Sequence, residues 1–289
     1  MMNLKSFKIG VSSFLIILFL MALGHVLMVL TEKIFVEQKY IGALLIGLLG
    51  FVLLIIGVKK NKSKSTATIL GLLAGVLVWT GWVEFSFVWI AEKLSVPPLI
   101  ENGEIATKPE YLVMLSSIGL LSTFSLFFLF TYTKCQFFKW FQNLFGIKED
   151  IAPKKSIEKP IVVTTFIETI MILWTFYIVL LLVYDKDIAG DNHPATYFVA
   201  FGSLFWSLYL VLKLIKIKKF DYSIRYAIPT VIIFWNVVEI LGRWNLFKEI
   251  WVHPIEHWIE ITMITLLFLG FIAYYIYESK KNKINYTIN

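Results

Sequence analysis

Apolar residues along this chain come in long unbroken runs, and the polar residues between them come in short clusters. Eight of these runs are long enough to cross a ~30 Å apolar layer as helices rising ~1.5 Å per residue. They fall near residues 9–31, 40–58, 67–92, 111–133, 161–184, 196–215, 226–247 and 257–277. Such a layer offers no water to backbone amides, so each run is expected to be a helix. The expected fold class is all-α: a polytopic integral membrane protein of about eight transmembrane helices, spans 1 to 8. The first run follows Lys5 and Lys8 as a signal peptide's apolar core would. It is too long for a typical cleaved signal and ends in no small-x-small site, so it reads as span 1.

Composition agrees. The chain has 289 residues, 58% hydrophobic and 16% charged, where a soluble globule carries about 25% charge. Its single cysteine, Cys135, excludes an intramolecular disulfide and any cysteine-rich metal site. The net charge of +7 sits in short loops, which makes it a signal of topology and not of nucleic-acid binding.

One set of connections is rich in Lys: "KKNKSKS", "KCQFFKWFQNLFGIKEDIAPKKSIEKP", "KLIKIKKFDYSIR" and the tail "ESKKNK". With Lys5 and Lys8, this set holds 20 of the 27 basic residues. The alternate set, "TEKIFVEQK", "EKLSVPPLIENGEIATKPE", "DKDIAGDNHPA" and "KEIWVHPIEHWIE", is mostly acidic. Lys and Arg accumulate on the cytoplasmic side. Both termini are therefore expected inside, and "HPIEHWIE" outside. The Lys, Ile and Asn-rich wording suggests a bacterium with an A·T-rich genome, and the expected location is its inner (cytoplasmic) membrane. Within the long inner connection, "FFKWFQNLFG" is amphipathic and is expected to lie on the membrane surface, where it could dock a partner membrane protein.

The two halves share a pattern. "VEFSFVWIAEK" and "VEILGRWNLFK" both fit V-E-x-x-x-x-W-x-x-x-K, matching Glu84, Trp89 and Lys93 with Glu239, Trp244 and Lys248. "LTEK" and "VYDK" close spans 1 and 5, and the spacing from Lys33 to Glu84 nearly equals that from Lys186 to Glu239. This reads as a tandem repeat of two four-helix units, 1–135 and 161–289, joined by an amphipathic cytoplasmic linker, 136–160. Four spans per unit keep the units parallel, about an axis along the membrane normal. Glu84 and Glu239 would then sit at equivalent depths, facing each other.

Ionisable groups inside a span are costly and mark function or packing. His25, Glu84, Glu168 and Glu239 are such groups, with Arg243 one turn beyond Glu239. Glu239 and Arg243 are spaced to pair, either as a structural ion pair or as a proton- or ligand-carrying acid tuned by its neighbour. Glu84 has Thr80 one turn below it and reads either as a protonated functional acid or as a hydrogen-bonded packing residue. His25 reads as a buried hydrogen-bonded residue or as a metal ligand. Glu168, beside Thr164, Thr165 and Thr169, reads as a local hydrogen-bonding group, and His193 in "DNHPA" as a solvated loop residue.

The densest polar cluster is "HPIEHWIE". If span 8 begins at Pro254, a residue suited to a helix's first turn, then His253, Glu256, His257 and Glu260 share one helical face. Two histidines four apart can share a metal, and this His/Glu set suits zinc, copper, iron or manganese. The same residues also suit a helix start at a membrane interface with no metal, through the helix dipole. H-x-x-E-H also occurs in inverted zinc peptidases, but Pro254 at the helix start argues against that site. Diiron bundles use E-x-x-H, which this chain lacks.

Three functions fit. The first is a membrane-embedded metal-dependent enzyme acting on an apolar or lipid-like substrate, with Glu239, Glu84 and Arg243 as catalytic groups and His253, His257, Glu256, Glu260 and His25 as metal ligands. The second is an ion- or proton-coupled transporter with paired intramembrane carboxylates. The third is a non-catalytic subunit of a membrane complex. The scarcity of proline and glycine within the spans predicts unbroken helices and a rigid bundle, favouring the first.

Overall fold

A computed structural model describes residues 4–59, 63–101, 104–131, 133, 135–147 and 160–288. Eight helices are long and apolar enough to cross a membrane: Leu4–Ile34, Lys39–Lys59, Lys64–Lys93, Pro109–Phe130, Ile161–Tyr184, Pro194–Leu214, Phe220–Arg243 and Trp258–Tyr277. They are spans 1 to 8 in order, and the protein is a multi-pass membrane protein.

Burial separates the spans into two classes. The apolar windows of spans 1, 3, 5 and 7 are 44%, 67%, 56% and 67% buried, whereas those of spans 2, 4, 6 and 8 are 28%, 17%, 22% and 6% buried. The odd spans form the interior and the even spans form its jacket. Span 3 packs on spans 2 and 5, and span 7 packs on spans 1, 5 and 6. Exposed leucines and phenylalanines such as Leu120, Phe127, Phe198, Phe205 and Leu266 cover the even spans, as expected of a surface facing acyl chains. The odd spans carry His25, Glu84, Glu168 and Glu239, so the costly groups lie where other spans shield them.

The spans are not all regular. Span 3 switches to π-helix over Trp79–Glu84 before resuming as Phe85–Lys93, and span 4 tightens to 3₁₀-helix over Leu115–Ser117. The expectation of unbroken helices fails at both places. The π segment coincides with a very close approach. A Cβ added to Gly81 would lie 2.4 Å from the backbone nitrogen of Gly47 in span 2, so only two glycines let the backbones meet. In span 4, the Ser117 hydroxyl donates to the Met114 carbonyl (2.6 Å) and accepts from Trp174 Nε1 of span 5 (2.8 Å). That anchors the irregular turn to the interior.

The two ends of the bundle differ. Loops that follow the odd spans gather around an antiparallel hairpin, Leu99–Glu101 with Glu104–Thr107; this is the hairpin end. Lys108 ties it to span 1 through Glu32 at 3.3 Å. His193 is more than a solvated loop residue here: its Nδ1 accepts from the Ala195 amide (3.2 Å), capping span 6 ahead of Pro194. At the opposite, termini end, Gly10 of span 1 lies against the Leu214–Ile215 backbone. Span 8 is fixed there by Tyr275, whose ring packs edge-on against Phe220 at 4.7 Å.

The amphipathic stretch forms the helix Gln136–Leu144. It does not simply float on a surface. Phe137 and Phe138 are buried against Phe176 of span 5 and Phe128 of span 4. Gln142 Nε2 donates to the carbonyls of Phe128, Leu129 and Thr131 at 3.0–3.3 Å, satisfying the last turn of span 4, whose own helix supplies no donor. Burial, with the Glu168 charge adding to it, pushes the neighbouring Cys135 thiol up to about 12.

Candidate functional site

At the hairpin end the odd spans separate around a cavity of about 1090 Å³. It runs from His253, Glu256 and His257 at the mouth to Met21, Leu173 and Ile232 at its deepest. That is at or above the usual size of a small-molecule site.

Partway down lies an acid–base cluster with one residue from each odd span. The Tyr177 hydroxyl of span 5 donates to Glu84 Oε1 of span 3 at 3.1 Å. The same hydroxyl lies 3.4 Å from His25 Nε2 of span 1. That nitrogen is 3.6 Å from Glu239 Oε1 of span 7. The two carboxylates are thus joined through a phenol and an imidazole, all proton-exchanging groups. Glu239 lines the cavity and keeps 22% side-chain exposure; Glu84, at the end of the π segment, is 4% exposed and sits behind the bridge. A π turn inserts an extra residue into the helical register and re-aims the side chains that follow, and such turns are frequent at functional sites.

Aromatic rings hold the imidazole in place. His25 stacks with Trp235 (centroids 5.8 Å apart) and Tyr177 (6.3 Å). Trp235 Nε1 donates to Glu239 Oε1 at 2.6 Å, so the i,i+4 partner of Glu239 is this indole, one turn earlier. Arg243 does not meet the expectation of a Glu239 pair. Its ion pair is with Asp191 in the loop after span 5; it also donates to Thr107 Oγ1 of the hairpin (3.3 Å) and covers the Tyr184 ring at 4.3 Å. Side-chain length explains this: Arg243 is the last residue of the helix and reaches outward to the loops. On the cavity wall, Glu249 lies over Gly242. Burial, with the nearby Glu239 charge adding to it, pushes Glu249 up to about 7.

Residues 253–260 do not form the stripe expected of them. Residues 250–257 are turns, and span 8 begins only at Trp258. The side chains pair two by two, His253 with Glu256 at 3.9 Å and His257 with Glu260 at 3.5 Å. His253, Glu256 and Glu260 are 55%, 73% and 52% exposed, and His257 26%. His25 lies with the buried acids and not with them. Among the described residues, no three His, Cys, Asp or Glu gather as a group that could hold a metal ion.

Glu168 is also more than a local hydrogen-bonding group. Arg225 of span 7 grips it along one guanidinium edge, Nε to Oε2 at 2.9 Å and Nη2 to Oε1. Thr165 and Thr169 instead donate to their own helix's carbonyls four residues back. This pair ties spans 5 and 7 below the cavity, toward the termini end.

Sequence reasoning missed Tyr177, Trp235, Asp191, Glu249 and Arg225. Tyr177 had a weak signal: it stands nine residues before Lys186, close to the eight that separate His25 from Lys33. Fold and site together define a polytopic membrane protein with an acid–base cluster in the wall of a cavity open at one end. No known protein family, curated protein or solved structure matches the chain.

Proposed function

We propose that this protein is a proton-coupled carrier of the bacterial inner membrane, inserted with both termini in the cytoplasm and its cavity open to the outside. Glu239 takes up or gives up a proton at the cavity wall. His25 and Tyr177 pass it to Glu84, the storage site, and ligand binding and protonation compete or cooperate through Glu239. The single observation behind this reading is the chain of contacts from Glu239 through His25 and Tyr177 to Glu84. Ionisable groups gathered inside membrane spans mark ion pathways and proton relays.

Several features favour a carrier over a fixed enzyme site. The spans at the site are irregular, and such places yield during a conformational change. The cavity is open at the hairpin end, while the Glu168–Arg225 pair ties the interior spans on the other side. Two four-helix units fit the packing: span 1 meets span 7 as span 5 meets span 3, and span 2 meets span 3 as span 6 meets span 7. Under this pseudo-symmetry Glu84 and Glu239 are equivalent, and His25 faces Tyr177 across the axis. Carriers built from parallel repeats place their binding site at this interface. The mouth residues His253, Glu256, His257 and Glu260 form two separate pairs, so the reading assigns the chemistry to the buried cluster and not to a metal.

A proton entering a site within the membrane moves charge. Proteoliposomes on a solid-supported electrode, given a step in external pH, should yield a transient current with no ligand added. Glu84→Gln with Glu239→Gln should abolish it. A current of the same size in that double variant, or none in the wild type, would end the proton-carrier reading.

A further inference from the structure

The walls of the cavity carry information that the proton relay does not use. They are aromatic: Trp235 and Trp251 pack with ring centroids 4.9 Å apart, and Tyr111, Tyr177 and Tyr184 also line the space. Its deep charges are unbalanced. Of the basic lining residues, Arg243 is engaged by Asp191, Lys108 lies 3.3 Å from Glu32 and 3.7 Å from Glu110, and Lys248 sits on the loop after span 7, toward the mouth. Glu239 and Glu249 lie on neighbouring parts of the wall, with His25 as the basic group beside them. The Tyr184 hydroxyl, on a side chain nine-tenths buried, has no hydrogen-bond partner among the described residues.

We infer that the cavity binds a lipophilic organic cation, an ammonium or phosphonium centre carried on an apolar body. This inference rests on the reading of the cavity as a carrier's binding site. Aromatic faces attract a cation through their quadrupoles, most strongly away from water, and a carboxylate at the end of an apolar funnel focuses positive charge. The same walls repel an anion of equal size and shape. The cation centre would settle between the Trp235–Trp251 pair and the Glu239 carboxylate, with Glu249 flanking it. A volume of about 1090 Å³ leaves room for a drug-sized body.

Two probe ions of nearly equal shape and opposite charge separate charge selection from greasiness: tetraphenylphosphonium and tetraphenylborate. Each is titrated against the purified full chain in nanodiscs, with tryptophan quenching as the readout and empty nanodiscs subtracted. The phosphonium should bind saturably and the borate should not. Glu239→Gln should weaken the phosphonium about tenfold or more, as expected when a charged partner is removed from a site of low polarity. Glu249→Gln, on a loop outside the helical interior, is the second variant should the first not fold, and it should weaken binding in the same direction. Equal binding of both ions, or phosphonium binding unchanged in both variants, overturns the inference. If the phosphonium fails to bind while the pH-step current persists, only the ligand class is wrong. If that current is absent from the wild type, the carrier reading itself falls.

Discussion

Glu168 and Arg225 make the most consequential ion pair in the interior, because each would be nearly intolerable alone. Removing one partner of a buried pair leaves an uncompensated charge, at a cost of about 3–5 kcal/mol, whereas replacing both by apolar groups is often close to neutral. Glu168→Leu or Arg225→Leu alone should therefore lower the melting temperature in detergent sharply, and the double variant should recover most of the loss. Singles that melt like the wild type would show the pair to be solvated. Residue type alone pointed to Glu84, Glu239 and His25, since charge inside an apolar run stands out. It did not point to partners. Arg225 read as one more basic residue of a cytoplasmic loop, and Tyr177 as an ordinary aromatic of a membrane helix. Which long side chain meets which depends on packing between spans, and no local spacing encodes that.

Among the elements, the eight spans were legible because a bilayer imposes one length and one polarity on every crossing. Their ends shifted by a few residues, with span 1 starting at Leu4 and span 8 at Trp258. The π segment Trp79–Glu84 was illegible because it arises where span 3 meets spans 1 and 2, and a helical repeat of 3.6 residues carries no mark of it. The stripe "HPIEHWIE" misled for a related reason: a helical face was assigned to residues that the chain keeps in turns. Gly81 tests the element account. Gly81→Ala would place a methyl group 2.4 Å from the Gly47 nitrogen, so spans 2 and 3 must part and the melting temperature should drop by several degrees. Gly202→Ala, where nothing lies within 4 Å, should change little. Equal effects would mean that the close approach of spans 2 and 3 does not stabilise the bundle.

For the molecule as a whole, the alternation of Lys-rich and acidic loops predicts which end faces the cytoplasm. The single cysteine makes this measurable. Cys135 is buried and its thiol is pushed up to about 12, so the wild type should resist maleimides and serve as a silent background. An impermeant maleimide should label Ile188→Cys, 57% exposed at the hairpin end, in intact cells. Leu144→Cys, 62% exposed on the amphipathic helix, should label only after permeabilisation. The reverse pattern would invert the topology and place the cavity mouth in the cytoplasm. The central claim, that Tyr177 and His25 carry protons between Glu239 and a buried Glu84, is tested most directly by time-resolved infrared absorption of the carboxyl C=O stretch after a pH step. In the wild type, bands from both acids should respond, each identified by its loss in Glu84→Gln or Glu239→Gln. In Tyr177→Phe the Glu239 band should respond as before, while the Glu84 band lags about a hundredfold or more, the usual contribution of a positioned proton-transfer group. A Glu84 band that keeps pace in Tyr177→Phe would contradict the account.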